Sequence, residues 1–277
     1  MANQRDLKAF VRYDGSGRVV AGSLVLRKKK PKVGRWQEIL TYECCNPTTT
    51  TTSTSNTTTT TTTIVACATL ARASSFAVLA ASTVTNTGGT VVTGDLGLFP
   101  GTSITGFPVP GTVIGTIHQT DAAASNAQID ALAAFTALNL LTPTGSVLAD
   151  IGRTTISPGI YSVSSTLAIT GTVTLDGGGD PNAVFVFQIP STFIPATSAI
   201  VSLTNSAQAG NVYWVVGSSA TLSTSSVIRG NIIAQASVTL NTSAQLTGRA
   251  FALTGAVTMD TNIVNAVLAP CTINPLI

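Results

Sequence analysis

One short pattern returns at nearly constant spacing through the C-terminal half of the chain and narrows the available folds more than any other feature. Ala220-Thr221-Leu222-Ser223-Thr224 comes back as Val238-Thr239-Leu240-Asn241-Thr242 and again as Val257-Thr258-Met259-Asp260-Thr261, at offsets of 18 and 19 residues. Gly230 and Gly248 repeat at the same 18, and Val173-Thr174-Leu175-Asp176 is a further copy upstream. Short β-branched runs broken by Gly, Ser and Asn, at a period near 18, suit one coil of a three-sided β-solenoid in which each coil stacks on the last. Alternation along a strand then turns Leu175, Leu222, Leu240 and Met259 inward and Thr174, Thr221, Thr239 and Thr258 outward. The next outward positions are Asp176, Ser223, Asn241 and Asp260. If these copies occupy adjacent coils, one flank of the solenoid carries a flat ladder of small polar groups.

The charges divide the chain. Residues 1–45 hold 10 of the 14 Lys and Arg and 4 of the 11 Asp and Glu, a net of +6. The remainder has four arginines against seven aspartates, a net of −3, with no lysine and no glutamate. A long Thr-, Val-, Ala-, Ile- and Gly-rich stretch with so few charges predicts an all-β domain, here residues 64–277, which is long enough to bury a sizeable core. Ile64–Leu70 reads as its first core segment. The one interruption is alanine-rich Asp121–Leu141, with Thr120 as N-cap and Pro143 as stop, which predicts a helix lying alongside the solenoid.

Residues 1–45 read as a small β-rich module of strands Leu7–Tyr13, Arg18–Leu26 and Trp36–Tyr42, the first two joined across Asp14-Gly15. So short a module buries little by itself, which predicts that it anchors against a protein partner in a larger assembly. Its anchoring candidates are Arg27, Lys28, Lys29, Lys30, Lys32, Arg35 and Trp36. The lysine run has no aromatic interleaving, so an acidic docking surface is preferred over nucleic acid. Residues 46–63 are almost pure threonine and read as a spacer, roughly 50 Å if fully extended.

Nothing in the sequence assembles a catalytic constellation. His118 is the single histidine, and there is neither a G-x-S-x-G element nor a phosphate-binding glycine loop. Asp176, Asp180 and Asp260 are the carboxylates a glycan-cleaving β-helix would need, but Asp176-Gly177-Gly178-Gly179-Asp180-Pro181 reads first as a tight loop, and two acids are few for calcium. Cys44, Cys45, Cys67 and Cys271 lack metal-site spacing. Cys67 and Cys271 flank the domain and either pair or remain buried thiols. No cofactor or metal is implied, and the chain reads as non-enzymatic. With no apolar signal-peptide core after Met1 and no apolar run of about 18 residues, neither signal-directed secretion nor a membrane span is expected.

Several segments occur together and in order: Ser75-Phe76-Ala77-Val78-Leu79-Ala80, Val92-Thr93-Gly94-Asp95-Leu96-Gly97, Pro158-Gly159-Ile160-Tyr161, Ala183-Val184-Phe185-Val186-Phe187-Gln188, Asn211-Val212-Tyr213-Trp214-Val215-Val216-Gly217 and Gly248-Arg249-Ala250. With them, residues 74–267 resemble the ice-binding-protein-like family known as DUF3494. The resemblance implies a discontinuous right-handed β-helix with a parallel α-helix on one side, and ice binding through a flat face. Residues 1–45 lie outside it and faintly resemble attachment segments of phage structural proteins.

Two function classes follow. The first is a non-enzymatic surface-display protein, a phage virion decoration or head or tail fibre at the virion surface, homo-oligomeric and holding a host-surface glycan on its solenoid. The second is an ice-binding protein at the cell surface or outside the cell, whose face comprises Thr174, Thr221, Ser223, Thr239, Asn241 and Thr258. Outward threonines also stabilise any sheet, so the ladder alone does not separate a ligand face from a structural one.

Overall fold

In the computed structural model the chain separates into two compact units, Met1–Asn46 and Pro47–Ile277. Residues 70–266 are described in full, and before them only the backbone strands Lys8–Tyr13, Val25–Arg27, Arg35–Ile39, Thr48–Thr54 and Thr57–Thr63. The four cysteines, Lys28–Lys32 and most of Ile64–Leu70 therefore lie outside the described residues.

In the first unit, Lys8–Tyr13 is the central strand, antiparallel to Val25–Arg27 on one side and to Arg35–Ile39 on the other. Arg27 stands opposite Lys8, Arg35 opposite Tyr13, and Trp36 opposite Arg12. The threonine tract is not one extended spacer: Thr48–Thr54 and Thr57–Thr63 pair antiparallel, with Thr48 opposite Thr63. β-branched side chains hold the backbone extended, and extended backbone carries unpaired N–H and C=O groups that a second strand satisfies.

Residues 70–266 form the all-β, right-handed, three-sided solenoid with one helix that the repeat and the resemblance predict. Its strands are parallel throughout. The first side, here the ladder face, stacks Ser103–Thr105, Thr83–Asn86, Val257–Met259, Val238–Leu240, Ala220–Leu222, Phe193–Pro195 and Leu167–Ile169 in that spatial order. The coil stack is thus discontinuous in sequence, because the last coil docks on the N-terminal one. The two remaining sides join into one sheet because Val227–Ala234 and Gln245–Ala252 run around a corner. Gly230 and Gly248 make that corner with φ of +121° and +150°, and a Cβ at Gly248 would lie 1.9 Å from the Gly230 carbonyl oxygen. Only glycine fits there.

Helix Ala122–Asn139 covers the third side. Its buried residues are Ala124, Ala127, Ala131, Ala134 and Leu138, a stripe at 3–4 residue spacing that sets the backbone close to Phe76, Leu79, Tyr213 and Phe251. Ile129 and Leu132, by contrast, are exposed. The cap is Asp121, not Thr120: the Asp121 carboxylate accepts from the Ala124 N–H at 2.8 Å, while Thr120 sits at φ +55° and donates its hydroxyl to the Gln119 carbonyl. A carboxylate satisfies an orphan N–H and favours the positive end of the helix dipole. A bidentate Arg72–Asp130 ion pair at 2.7 and 2.8 Å ties the preceding segment to the helix. Inside the solenoid the Trp214 ring stacks between Phe187 and Phe193, with centroids 4.5 and 4.6 Å away. Among the described residues no helix is long and apolar enough to cross a membrane.

Candidate functional site

The ladder expected from the repeat is present. Thr221 lies opposite Thr239, and Thr239 opposite Thr258, each flanked by inward residues that are almost completely buried. Ser223 and Asn241 follow at the strand ends, half-buried, in line with Asp260. Thr174 is not part of this array. It belongs to the adjacent side of the solenoid, opposite Thr155 and Ser202, and the ladder-face strand of its own coil is Leu167–Ile169. A Val-Thr-Leu triplet fits any side of a three-sided coil, and only the residue count from the corner decides which side it occupies.

Two threonines missing from the sequence reading complete the array. Thr85 lies opposite Thr258, and Thr105 opposite Thr85, so five threonines stand on consecutive rungs in the order Thr105, Thr85, Thr258, Thr239, Thr221. Thr105 is exposed and the other four half-buried. The Thr83-Val84-Thr85 and Ser103-Ile104-Thr105 triplets show the same alternation, but they are 20 residues apart and lie far upstream of the 18-residue repeat. Beyond Thr221 the row continues with Ile194 and then Ala168, so the hydroxyl array ends there.

A second row flanks the first, and four of its hydroxyls are hydrogen-bonded. Thr166 and Thr192 share a hydrogen bond of 2.9 Å, Ser219 Oγ accepts from the Ser237 N–H at 3.3 Å, and Ser237 Oγ accepts from the Ala256 N–H at 3.2 Å. These two rows contain no charged residue. At their margin Asp260 accepts from the Thr242 and Thr261 hydroxyls, which hold its carboxyl below the usual carboxylate range. The adjacent side differs in kind: it carries Arg229, Gln245 and the exposed Ile200 and Ile263 in its outward positions, and the Arg229 guanidinium bonds the Val201 carbonyl.

The remaining candidates serve structure. Asp176 accepts from the Gly178 N–H and then from Asn205, which hold its carboxyl low, and Asp180 accepts from the Asn182 N–H, so both build turns. His118 Nδ1 lies 2.7 Å from Asp121 Oδ2 at the helix start, its ring tilted on Phe76. Among the described residues no three His, Cys, Asp or Glu side chains converge as a metal site.

A family model described as Ice-binding-like matches residues 78–265. The chain belongs to the ice-binding-like family. An ice-binding protein of Nostoc sp. (strain HG1) is 49% identical over 198 residues, which cover 71% of this chain and 73% of that protein. An ice-binding protein of Flavobacterium frigoris (strain PS1) is 31% identical over 206 residues, covering 69% and 74%. Among solved structures, an ice-binding protein from an Antarctic biological consortium superposes with a TM-score of 0.72 at 45% identity, covering 74% of this chain and 93% of that one. The ice-binding protein of the ascomycete Antarctomyces psychrotrophicus gives 0.69 at 42% identity, covering 71% and 97%.

These relatives overturn the reading of a phage virion decoration or fibre protein. That reading rested on the basic N-terminus, which lies outside the family domain, whereas the domain itself matches proteins named for binding ice. The relatives are named as binding proteins, not as enzymes.

Proposed function

We propose that this protein binds ice, and that it does so through the ladder face. The observation that carries the reading is the set of five threonines on consecutive rungs, in one of two adjacent rows without a charged residue, in a domain whose family relatives are ice-binding proteins. Rungs repeat at about 4.8 Å and alternate side chains along a strand at about 6.7 Å, so the face presents methyls and hydroxyls on a regular grid. Threonine is stiff at χ1, and its backbone is fixed by the solenoid, so little conformational freedom is lost when water orders on it. The methyls favour release of liquid-like water and the hydroxyls hold the remaining molecules in rows. A charge on the face would keep a disordered hydration shell, and the two rows have none.

The experiment is thermal hysteresis and crystal shaping by the full chain, by Thr239→Tyr and by Thr247→Tyr. The aromatic at Thr239 stands up from the middle of the face and should abolish activity, while the same change on the adjacent side should leave it. Absence of hysteresis in the unaltered protein sinks the reading.

Function of this kind is adsorption without catalysis, and it places the protein where ice grows, at the cell surface or outside the cell. Residues 1–45, with their net +6, serve as the attachment module for a protein partner, residues 46–63 stand between, and residues 64–277 carry the ice face. Such attachment should weaken with added salt. Homo-oligomers would present several faces at once and strengthen adsorption by avidity; sedimentation at low and high salt tests this.

A further inference from the structure

The ladder crosses the one place where the solenoid is not continuous in sequence. Thr258 belongs to the last coil and Thr85 to the first, so their alignment depends on how two chain-distant coils dock. At that seam, and nowhere else along the same columns, the inward positions turn into hydrogen-bonding amides. The inward column that reads Leu222, Leu240, Met259 ends in Asn86, and the corner column that reads Ser226, Ala244 continues as Asn262 and Thr90.

These three polar side chains are 5%, 1% and 0% exposed for Asn86, Asn262 and Thr90. They form one chain of hydrogen bonds. Asn86 Nδ2 donates to the Gly88 and Gly106 carbonyls at 2.6 and 3.0 Å, and Asn86 Oδ1 accepts from Thr90 Oγ1 at 2.5 Å. Thr90 Oγ1 in turn accepts from the Asn262 N–H at 3.0 Å. Asn262 Nδ2 donates to the Asn241 and Ala244 carbonyls at 2.9 and 3.0 Å, and Asn262 Oδ1 accepts from the Asp260 N–H at 2.6 Å. The network therefore links four successive coils, those that carry Thr105, Thr85, Thr258 and Thr239. Backbones approach closely on both sides of Asn86: across the seam a Cβ at Gly88 would lie 2.2 Å from Thr261 Oγ1, and between the first two coils one at Gly106 would lie 2.0 Å from the Asn86 carbonyl oxygen.

An apolar column tolerates a slipped neighbour, because dispersion contacts are non-directional. A buried amide does not, because each unpaired donor or acceptor costs the full desolvation of that group. We infer that Asn86, Thr90 and Asn262 are positioning residues of the ice-binding face, fixing the register in which Thr85 and Thr105 continue the ladder of Thr258, Thr239 and Thr221. This rests on the ice-binding reading for its functional part.

The test uses the full chain with Thr90→Val, which keeps the shape and removes the hydroxyl at the centre of the network, and Thr90→Ser, which restores it. Thr90→Val should lose most of its thermal hysteresis while still melting cooperatively, and Thr90→Ser should recover it. A destabilised control at the far end of the stack, Ile169→Val, should remain active, which a merely structural contribution would not distinguish. Should Thr90→Val fail to fold, Asn86→Leu, which extends the existing leucine column, takes its place with the same expected loss. Full activity in either folded network variant, or a serine variant as inactive as the valine one, overturns the inference. Amide exchange at Thr83–Asn86 and Val257–Met259 reads the seam without ice: faster exchange in Thr90→Val supports the positioning role and unchanged exchange refutes it, even if the unaltered protein does not act on ice.

Discussion

Thr258 and Thr85 face each other on neighbouring parallel strands, although one lies near the end of the domain and the other near its beginning. That contact makes Thr258, and not Thr239, the centre of the five-rung row. A tyrosine at Thr105 tests the consequence. Thr105 is on the edge strand, exposed and with no rung above it, so the fold should tolerate the ring. The face should lose activity nonetheless, measured as hysteresis at equal protein concentration, because an aromatic projecting from the row prevents flat contact.

The opposite end offers a gain. Ile194 follows Thr221 in the row and is 42% exposed, and Ala168 comes next. Converting Ile194 to Thr adds a sixth hydroxyl rung without burying one, and the Ile194→Thr/Ala168→Thr pair adds a seventh. Hysteresis should rise stepwise across the two variants, and a fall in the single variant would show that the isoleucine already contributes as apolar surface.

Stability should hinge on the aromatic stack. Trp214 is fully buried between Phe187 and Phe193, and its indole N–H donates to the Arg229 carbonyl at 3.0 Å. Trp214→Ala removes the largest buried side chain and orphans that carbonyl, at a cost of about 3–5 kcal/mol by denaturant titration. Trp214→Phe should cost clearly less.

Arg249 is 1% exposed and has two partners on different elements: Nε and a terminal nitrogen donate to the Ser74 carbonyl, and the other terminal nitrogen donates to Asn231 Oδ1 at 2.8 Å. Burial pushes its pKa down to about 10. The unfolded chain therefore binds more protons than the folded one between that value and the ordinary 12.5, so the burial cost of this cation, full at neutral pH, is relieved as pH rises through that window. Arg249→Met should remove that component of the pH dependence. Arg249→Lys should destabilise, because one ammonium cannot reproduce the fork, and urea midpoints check both.

Asp121 has a lowered folded-state pKa too, so its slope has the same sign, but it acts at the acid end of the curve and there the shift reflects a favoured charge. The Ala124 N–H first, and His118 second, hold its carboxyl below the ordinary 3.8. Its stabilisation is present above the unfolded value and lost as pH falls through the folded one. Asp121→Ala should cost about 1 kcal/mol at neutral pH and flatten the acid limb of the stability curve, followed by circular dichroism.

The repeat alone determined that Leu222, Leu240 and Met259 point inward and that Thr221, Thr239 and Thr258 share a row, because a strand's period of two and a coil's period of 18 are local properties of the sequence. The alanine-rich helix was legible as an element, but not which of its residues would be buried, since Ile129 and Leu132 are exposed, and its cap proved to be Asp121, one residue beyond the Thr120 expected. Which side of the solenoid each triplet joins was not legible: Val173-Thr174-Leu175 has the ladder's spelling yet lies around the corner, since all three sides obey one alternation. Nor could spacing bring Thr85 and Thr105 into the row. Their place depends on the last coil docking against the first, a non-local contact fixed by Asn86, Thr90 and Asn262, whose amides and hydroxyl find partners only when the seam closes in one register.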